Sequence, residues 1–260
     1  MSTAENDTSV AIIIPVHNAW HYTQACLESI RANTRPPYRV IVVDNGSTDE
    51  TAERLRGLTA AGWPLEVISD EENLGYTLAA NQGLRAADSD RVVLLNNDTV
   101  VLPGWLEGLL SVLGLDERIG IVGPKVISPE HDRIMATGGL IFARSGCYLP
   151  IGRGAARHDP RFCTPEDRQY IEGSCMLITR QVIDAIGHLD EAYSPGYFED
   201  ADYCFRAREA GFRTVYSPFA EIVHYAGVTA RMPEVLALLR SRTGQEAIFR
   251  RRWSHSFEPR

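Results

Sequence analysis

The sequence predicts an α/β fold, a Rossmann-like and mostly parallel sheet with helices on both faces and a smaller mixed portion behind it. Two observations lead there. Residues 10 to 98 alternate short, β-branched apolar runs with helix-patterned segments. The apolar runs are hydrophobic throughout, as strands covered on both faces must be. Right-handed crossovers then place the carboxyl ends of neighbouring strands on one edge of the sheet, where open α/β sheets bind ligands.

"VAIIIPV" (10–16) reads as the first strand, and 20–33 as a helix with Tyr22, Cys26, Leu27 and Ile30 at helical spacing. "YRVIVVD" (38–44) is the second strand. "STDETAERLRGL" (47–58) opens on hydroxyls followed by acids, a helix-start signal. "LEVIS" (65–69), "GYTLAANQGLRAA" (75–87) and "RVVLLN" (91–96) continue as strand, helix and strand. The pattern loosens after 103. "LPGWLEGLLSVLG" predicts a short helix from near Pro103, and 119–128 and 134–142 predict strands. Residues 143–168, rich in Gly, Arg and Pro, read as a mobile loop. Helix and strand signals return from 170 to 218. Residues 1–9 are polar and expected to be disordered, 10–227 form one domain, and 228–260 form a basic, helical extension.

Composition excludes several function classes. With 260 residues and a net charge of −8, the chain repels phosphate at long range and is no general nucleic-acid binder. Its five cysteines are odd in number and form no CxxC pair, which fits free thiols in a cytoplasmic setting. No run reaches the roughly 18–20 apolar residues of a membrane span, and no apolar signal core opens the chain. A peripheral contact at the inner face of a membrane stays open.

Polar residues gather at the predicted strand ends. The first end carries Pro15, Val16, His17 and Asn18; the second Asp44 and Asn45; the third leads to Asn73 and Gly75; the fourth carries Asn96, Asn97 and Asp98. Each alone is ordinary turn chemistry, but on one edge they converge. Asp44 is suited to accept from a base imide or a ribose hydroxyl, with amides at Asn45, Asn73 and Asn81 in similar roles. Asp98 is the best anion near the middle of the sheet, where a hard cation bridging a diphosphate would sit. Neither GxGxxG nor GxxxxGK[ST] occurs, which argues against a dehydrogenase and a P-loop enzyme.

Two further clusters stand out. "YFEDADYCFRAREAG" (197–211) places Glu199, Asp200 and Asp202 in the first turn of a predicted helix. They are either complements to the helix dipole or a general base that Tyr197 and Phe198 partly desolvate. "AEIVHYAG" (220–227) ends a strand on His224, either a structural histidine or a metal ligand beside Asp98; imidazole with carboxylate favours Mn²⁺ without excluding Mg²⁺.

"IIIPVHN", "VVDNGSTDET", "ENLGYTLAANQGL", "LLNNDT" and "GYFEDADYCFRAREAGF", in this order, resemble the family-2 inverting glycosyltransferases of GT-A fold. The variant is similar to the bacterial branch that includes rhamnosyltransferases and capsule or O-antigen enzymes. The resemblance spans roughly 10–227 and implies a nucleotide-binding half (10–102) and an acceptor half (103–227). It implies a nucleoside-diphosphate sugar donor, UDP- or dTDP-linked, and a glycan or lipid-linked acceptor. Asp44 matches the base-contacting carboxylate and Pro15 to Asn18 the nucleoside loop. Asp98 matches the metal carboxylate of the DxD motif, and His224 a histidine that in some members completes the metal shell. Asp200, next to Glu199, matches the catalytic base. Glu172, Gly173, Tyr197 and Phe198 are expected at the donor or acceptor sugar. The first DxD position is Asn96 rather than Asp, which removes a charge. Arg153 or Arg157 is expected to meet phosphate. A sugar-nucleotidyltransferase would need a glycine-rich basic loop after the first strand, which "IPVHNAW" is not. A non-catalytic binding module would bind without transfer, and the intact "ED" argues against it.

Overall fold

The computed structural model describes residues 10–129, 132–141, 148–227 and 242–254. The expected disorder of 1–9 lies outside them, as do 143–147 of the loop and most of the basic extension.

Four parallel strands build the first half. They are β1 (Val10–Val16), β2 (Tyr38–Asn45), β3 (Leu65–Asp70) and β4 (Arg91–Leu95), with β1 between β2 and β4 and β3 beyond β2. The register sets Val16 beside Asp44 and Asp44 beside Ser69, so the polar strand ends share one edge as expected. Helices α1 (Trp20–Asn33), α2 (Thr51–Ala60) and α3 (Tyr76–Ala86) are the crossovers. The predicted start of α2 at Ser47 is displaced by four residues: residues 47–49 belong to the turn after β2, where Asp49 Oδ1 accepts from the Thr51 amide at 2.9 Å ahead of the Glu50 N-cap.

The second half extends the same sheet in mixed order. After the short β5 (Thr99–Val101) and α4 (Trp105–Leu113) comes β6 (Ile119–Ile127). The expected strand over 134–142 is two short ones, β7 (Ile134–Ala136) and β8 (Gly139–Ile141). Gly138 at φ +77 turns the chain between them, close enough that a Cβ there would lie 2.9 Å from the Tyr170 carbonyl oxygen. β9 (Tyr148–Pro150) pairs with β8, and β10 (Glu166–Asp167) and β12 (Arg213–His224) form the far edge. β11 (Cys175–Thr179) enters antiparallel between β4 and β6.

Two layers cover the sheet. Alternate residues of the strands face α1 and α4 through Trp20, Leu27, Ile30, Trp105 and Leu109. Their neighbours face α3, α5 (Arg180–Ile186), α6 (Glu199–Glu209) and α7 (Arg242–Trp253) through Ala80, Leu84, Val182, Cys204 and Trp253. The doubly apolar strands have this cause: both faces are core.

Residues 148–168 correct the mobile-loop expectation. Arg157 is bound to Glu221 at 2.7 Å and to Asp132 at 3.2 Å, and Lys125 contacts Glu221 at 3.3 Å and the Arg157 carbonyl at 3.0 Å. The Arg168 guanidinium, nearly inaccessible, donates to Thr137 O at 2.6 Å and Glu166 at 2.7 Å. Gly, Arg and Pro here make turns and ion pairs rather than a free segment. The extension is helical over α7, and its Phe249 and Trp253 enter the core of the domain.

Candidate active site

A cavity of about 470 Å³ opens at the carboxyl edge of the sheet. Pro15, Val16, His17, Asn45, Asn73, Gly75, Asn96, Asn97, Asp98, Glu172, Gly173, Tyr197, Phe198, Glu199, Asp200 and His224 all line it, so most residues singled out from the sequence meet in one place.

The loops after β1, β2 and β3 hold one another. The Asn45 amide donates to Asn73 Oδ1 at 3.0 Å, while its Oδ1 accepts from the Leu74 amide at 2.8 Å. Asn73 Oδ1 also accepts from the Gly75 amide at 2.9 Å. Gly75 at φ +88 is pressed against Pro195, where a Cβ would lie 2.6 Å from the Pro195 Cα. His17 Nδ1 contacts the Asn45 carbonyl at 2.9 Å. Asn18 stands behind the wall: its Oδ1 accepts from the amides of Thr48 and Asp49 at 2.7 and 3.2 Å and so ties the first loop to the second. Asp44 is also set back; it is buried and accepts from the Ser47 amide at 3.1 Å, one residue before the lining Asn45.

Asn81 corrects the sequence reading. Its side chain lies outside the cavity and clamps Leu189, donating to its carbonyl at 2.9 Å and accepting from its amide at 3.0 Å. A helical position five residues after Tyr76 points its amide at the segment leading into the neighbouring 3-10 turn. Arg157, expected at phosphate, is engaged by Glu221 instead, whereas Arg153 lines the cavity.

Asp98 and His224 meet as predicted. His224 Nε2 and Asp98 Oδ1 are 3.0 Å apart, and the Tyr225 amide donates to the Asp98 carbonyl at 3.0 Å, fixing strand end to turn. Among the described residues no three His, Cys, Asp or Glu side chains are grouped so that they could hold a metal ion. Yet two ligands of one octahedral cation, each about 2.1 Å from it, stand about 3 Å apart along an edge, so this pair fits as the protein's share of an open site. Asn97 serves the fold instead, donating to Thr23 at 2.9 Å.

On the opposite wall α6 starts at the cavity, and three carboxyl groups gather. Asp200 accepts from the Gly173 amide at 2.9 Å and from the Ala201 amide at 2.7 Å. Those bonds favour its anion, although burial still raises its pKa. Burial and the adjacent Asp200 push Glu199 up to about 8. Glu172 is pushed up to about 7 by the same two causes, with His224 and Arg153 opposing. Three nearly inaccessible polar atoms on this wall find no hydrogen-bond partner among the described residues: Glu199 Oε2, Ser174 Oγ and Tyr170 Oη. Lining the cavity, these three atoms are placed to meet a polar ligand or water.

Asp202, two residues further, plays no part in the cavity. It is fully buried and accepts from Tyr193, Trp253, Arg252 and Arg206 at 3.1, 2.9, 2.8 and 2.8 Å. The sequence reading passed over Tyr76, Tyr148, Tyr170 and Ser174, which also line the cavity. Their signal was weak: Tyr76 and Tyr148 start elements, where an aromatic reads as packing, and Tyr170 and Ser174 fall between β10 and β11, where no pattern marks them.

The profile of a family described as "Glycosyl transferase family 2" matches residues 11–187. The chain belongs to glycosyl transferase family 2. It is thereby an enzyme of the transferase class. An uncharacterised protein of Sinorhizobium fredii, y4gI, is 31% identical over 97% of this chain, which spans 28% of that protein's length. An N-acetylglucosaminyl-diphospho-decaprenol L-rhamnosyltransferase of Mycobacterium tuberculosis is 29% identical over 85% of this chain and 78% of its own. The crystal structure of GalNAc-T7 with UDP, GalNAc and Mn²⁺ superposes with a TM-score of 0.71 at 16% identity, over 85% of this chain and 44% of the other. A mannosyltransferase from Pyrobaculum calidifontis in complex with GDP-Man and Mn²⁺ gives 0.62 at 17% identity, over 95% and 69%. These likenesses carry the GT-A fold. Among the described residues no helix is long and apolar enough to cross a membrane.

Proposed function

We propose that this glycosyl transferase family 2 enzyme is an inverting, metal-dependent glycosyltransferase. It moves a sugar from a UDP- or dTDP-linked donor to a hydroxyl of a glycan or lipid-linked acceptor, in the cytoplasm or at the inner face of a membrane. The observation that carries the reading is one cavity with Asp98 and His224 on one wall and Asp200 on the other.

The loops of Pro15–His17, Asn45 and Asn73–Gly75 bind the nucleoside, with Asp44 set behind them. Asp98 and His224 would hold Mn²⁺ or Mg²⁺; the bound cation neutralises charge on the diphosphate leaving group. Arg153 adds a positive charge at the same cavity. Glu199, Ser174 and Tyr170 offer their unpartnered atoms to sugar hydroxyls, Glu199 as a neutral acid near pH 7. Asp200, held as an anion by two amides, takes the proton of the acceptor hydroxyl. The oxygen then attacks the anomeric carbon opposite the departing nucleotide, and the configuration inverts. The name of the Mycobacterium tuberculosis relative supports a lipid-linked acceptor.

The test offers wild type and Asp200→Asn a panel of UDP- and dTDP-sugars with Mn²⁺. Wild type should release nucleotide and give a product of inverted anomeric configuration. The variant should be about 10²- to 10⁴-fold slower, with UDP still raising its melting temperature. Equal rates would remove Asp200 from the role of base. Nucleotide binding without transfer by wild type would make this chain a binding module.

A further inference from the structure

We infer that α7 is a positioning element for the catalytic turn: Gln245 and Phe249 hold residues 194–198 from behind so that Asp200 faces the cavity. The inference rests on the glycosyltransferase reading above and adds a part of the chain that no residue of the cavity includes.

The turn before α6 is built from backbone that side chains disfavour. Tyr197 has φ +77 and Phe198 φ +70, both in the left-handed region. Bulky aromatic residues seldom sit there, and they persist only where the surroundings over-determine them. Phe198 is the N-cap of α6 and makes no side-chain capping bond, so the helix start is not fixed in the usual way. Tyr197, Phe198, Glu199 and Asp200 nevertheless all line the cavity, and the direction of Asp200 depends on this turn.

The over-determination comes from α7. Gln245, itself buried, donates from Nε2 to the Ser194 carbonyl at 2.9 Å. The Phe249 ring, inaccessible to solvent, packs on Phe198 with centroids 5.3 Å apart and meets Phe205 edge-on at 5.4 Å. Trp253 packs on Phe205 at 5.3 Å and donates to Asp202 at 2.9 Å. Arg252 bridges Asp202 and Asp190 at 2.8 and 2.6 Å. One face of α6 carries Asp200 to the cavity, and Asp202 on another face fastens the helix to α7. Among the described residues none of α7 touches the cavity, so its influence runs through the turn.

The test uses the full chain carrying Phe249→Ala, Phe249→Leu or Gln245→Leu. Turnover, donor KM, the pH profile and amide exchange over 194–202 are measured, with rates referred to the folded fraction. Phe249→Ala should lower kcat about tenfold or more, since small misplacements of a catalytic group are that costly. Donor KM should stay within about twofold, because the nucleotide loops are untouched. The acidic limb should move to lower pH as water reaches Asp200 and relieves the burial that raises its pKa. Phe249→Leu should restore most of the turnover, and Gln245→Leu should show the same pattern more weakly. Variants that melt earlier yet keep kcat and the acidic limb of wild type would overturn the inference, leaving α7 a stabilising helix only. If Phe249→Ala does not fold, Gln245→Leu decides on the same criteria. If wild type transfers no sugar, the functional reading fails separately, and unchanged exchange over 194–202 in Gln245→Leu would still refute the positioning role.

Discussion

The two walls of the cavity are built on opposite terms. The wall of loops after β1, β2 and β3 is satisfied internally: Asn18 and Asn45 bond backbone of a neighbouring loop, Asn73 bonds the Gly75 amide of its own loop and the Asn45 side chain, and the strand ends lie in register. The opposite wall keeps Glu172, Glu199 and Asp200 close together and partly desolvated, leaves three buried polar atoms without partners among the described residues, and starts on two left-handed aromatic residues. The first wall is shaped before any ligand arrives. The second holds polar groups that the fold itself leaves open to the cavity.

The contrast is sharpest where the walls are cut separately. Asp98→Ala should abolish the metal-dependent rise in melting temperature caused by UDP and lower turnover by about 10²-fold or more. A variant that kept both would detach Asp98 from the cation. Asn45→Ala should be milder and of another kind. It leaves the Leu74 amide unpaired, costs about 1–3 kcal/mol of stability, and raises donor KM more than it lowers kcat. A dominant loss in kcat would mean that the first wall takes part in the chemical step.

The carboxyl wall also gives a pH signature. Folded Glu172 and Glu199 titrate near 7 and 8 rather than near 4.5, so the folded state keeps protons that the unfolded chain has lost. Stability from these groups is therefore full below about pH 4.5 and declines as pH rises through 7 to 8. Asp200→Asn removes a negative neighbour from both, so its melting temperature should fall less between pH 6 and 8.5 than that of wild type. Parallel curves would break the electrostatic link. The smallest effect on catalysis should come from Asn81→Ala, which releases Leu189 and costs about 1–2 kcal/mol, measured by urea unfolding, with kcat/KM unchanged.

Much of the first wall was legible because its signals are local. Apolar strands, a turn residue at each strand end and a helix after each turn fall within thirty residues of one another, and sheet topology then forces convergence. Asp98 with His224 was less legible: 126 residues separate them, and before the resemblance a metal ligand beside Asp98 was only one of two alternatives for His224. Asn81 was misread because an amide on a helix carries no mark of which neighbour it faces. The segment 148–168 was misread because Arg157 finds Glu221 across 64 residues, and composition alone does not reveal an ion pair. Tyr170 and Ser174 were missed because their defining property, a buried polar atom without a partner, exists only in three dimensions.

Asp200 and Asp202 are two letters apart in "EDADYC" and would look interchangeable to any screen that counts product alone. Their losses have different causes. A chain lacking the Asp202 carboxylate leaves Arg206 and Arg252 without their shared anion in the core and should disappear from the soluble fraction. A chain altered at Asp200 should accumulate normally and do nothing. Abundance measured beside activity, across all substitutions at both positions, would therefore sort the motif into one letter read by chemistry and one read by cellular quality control.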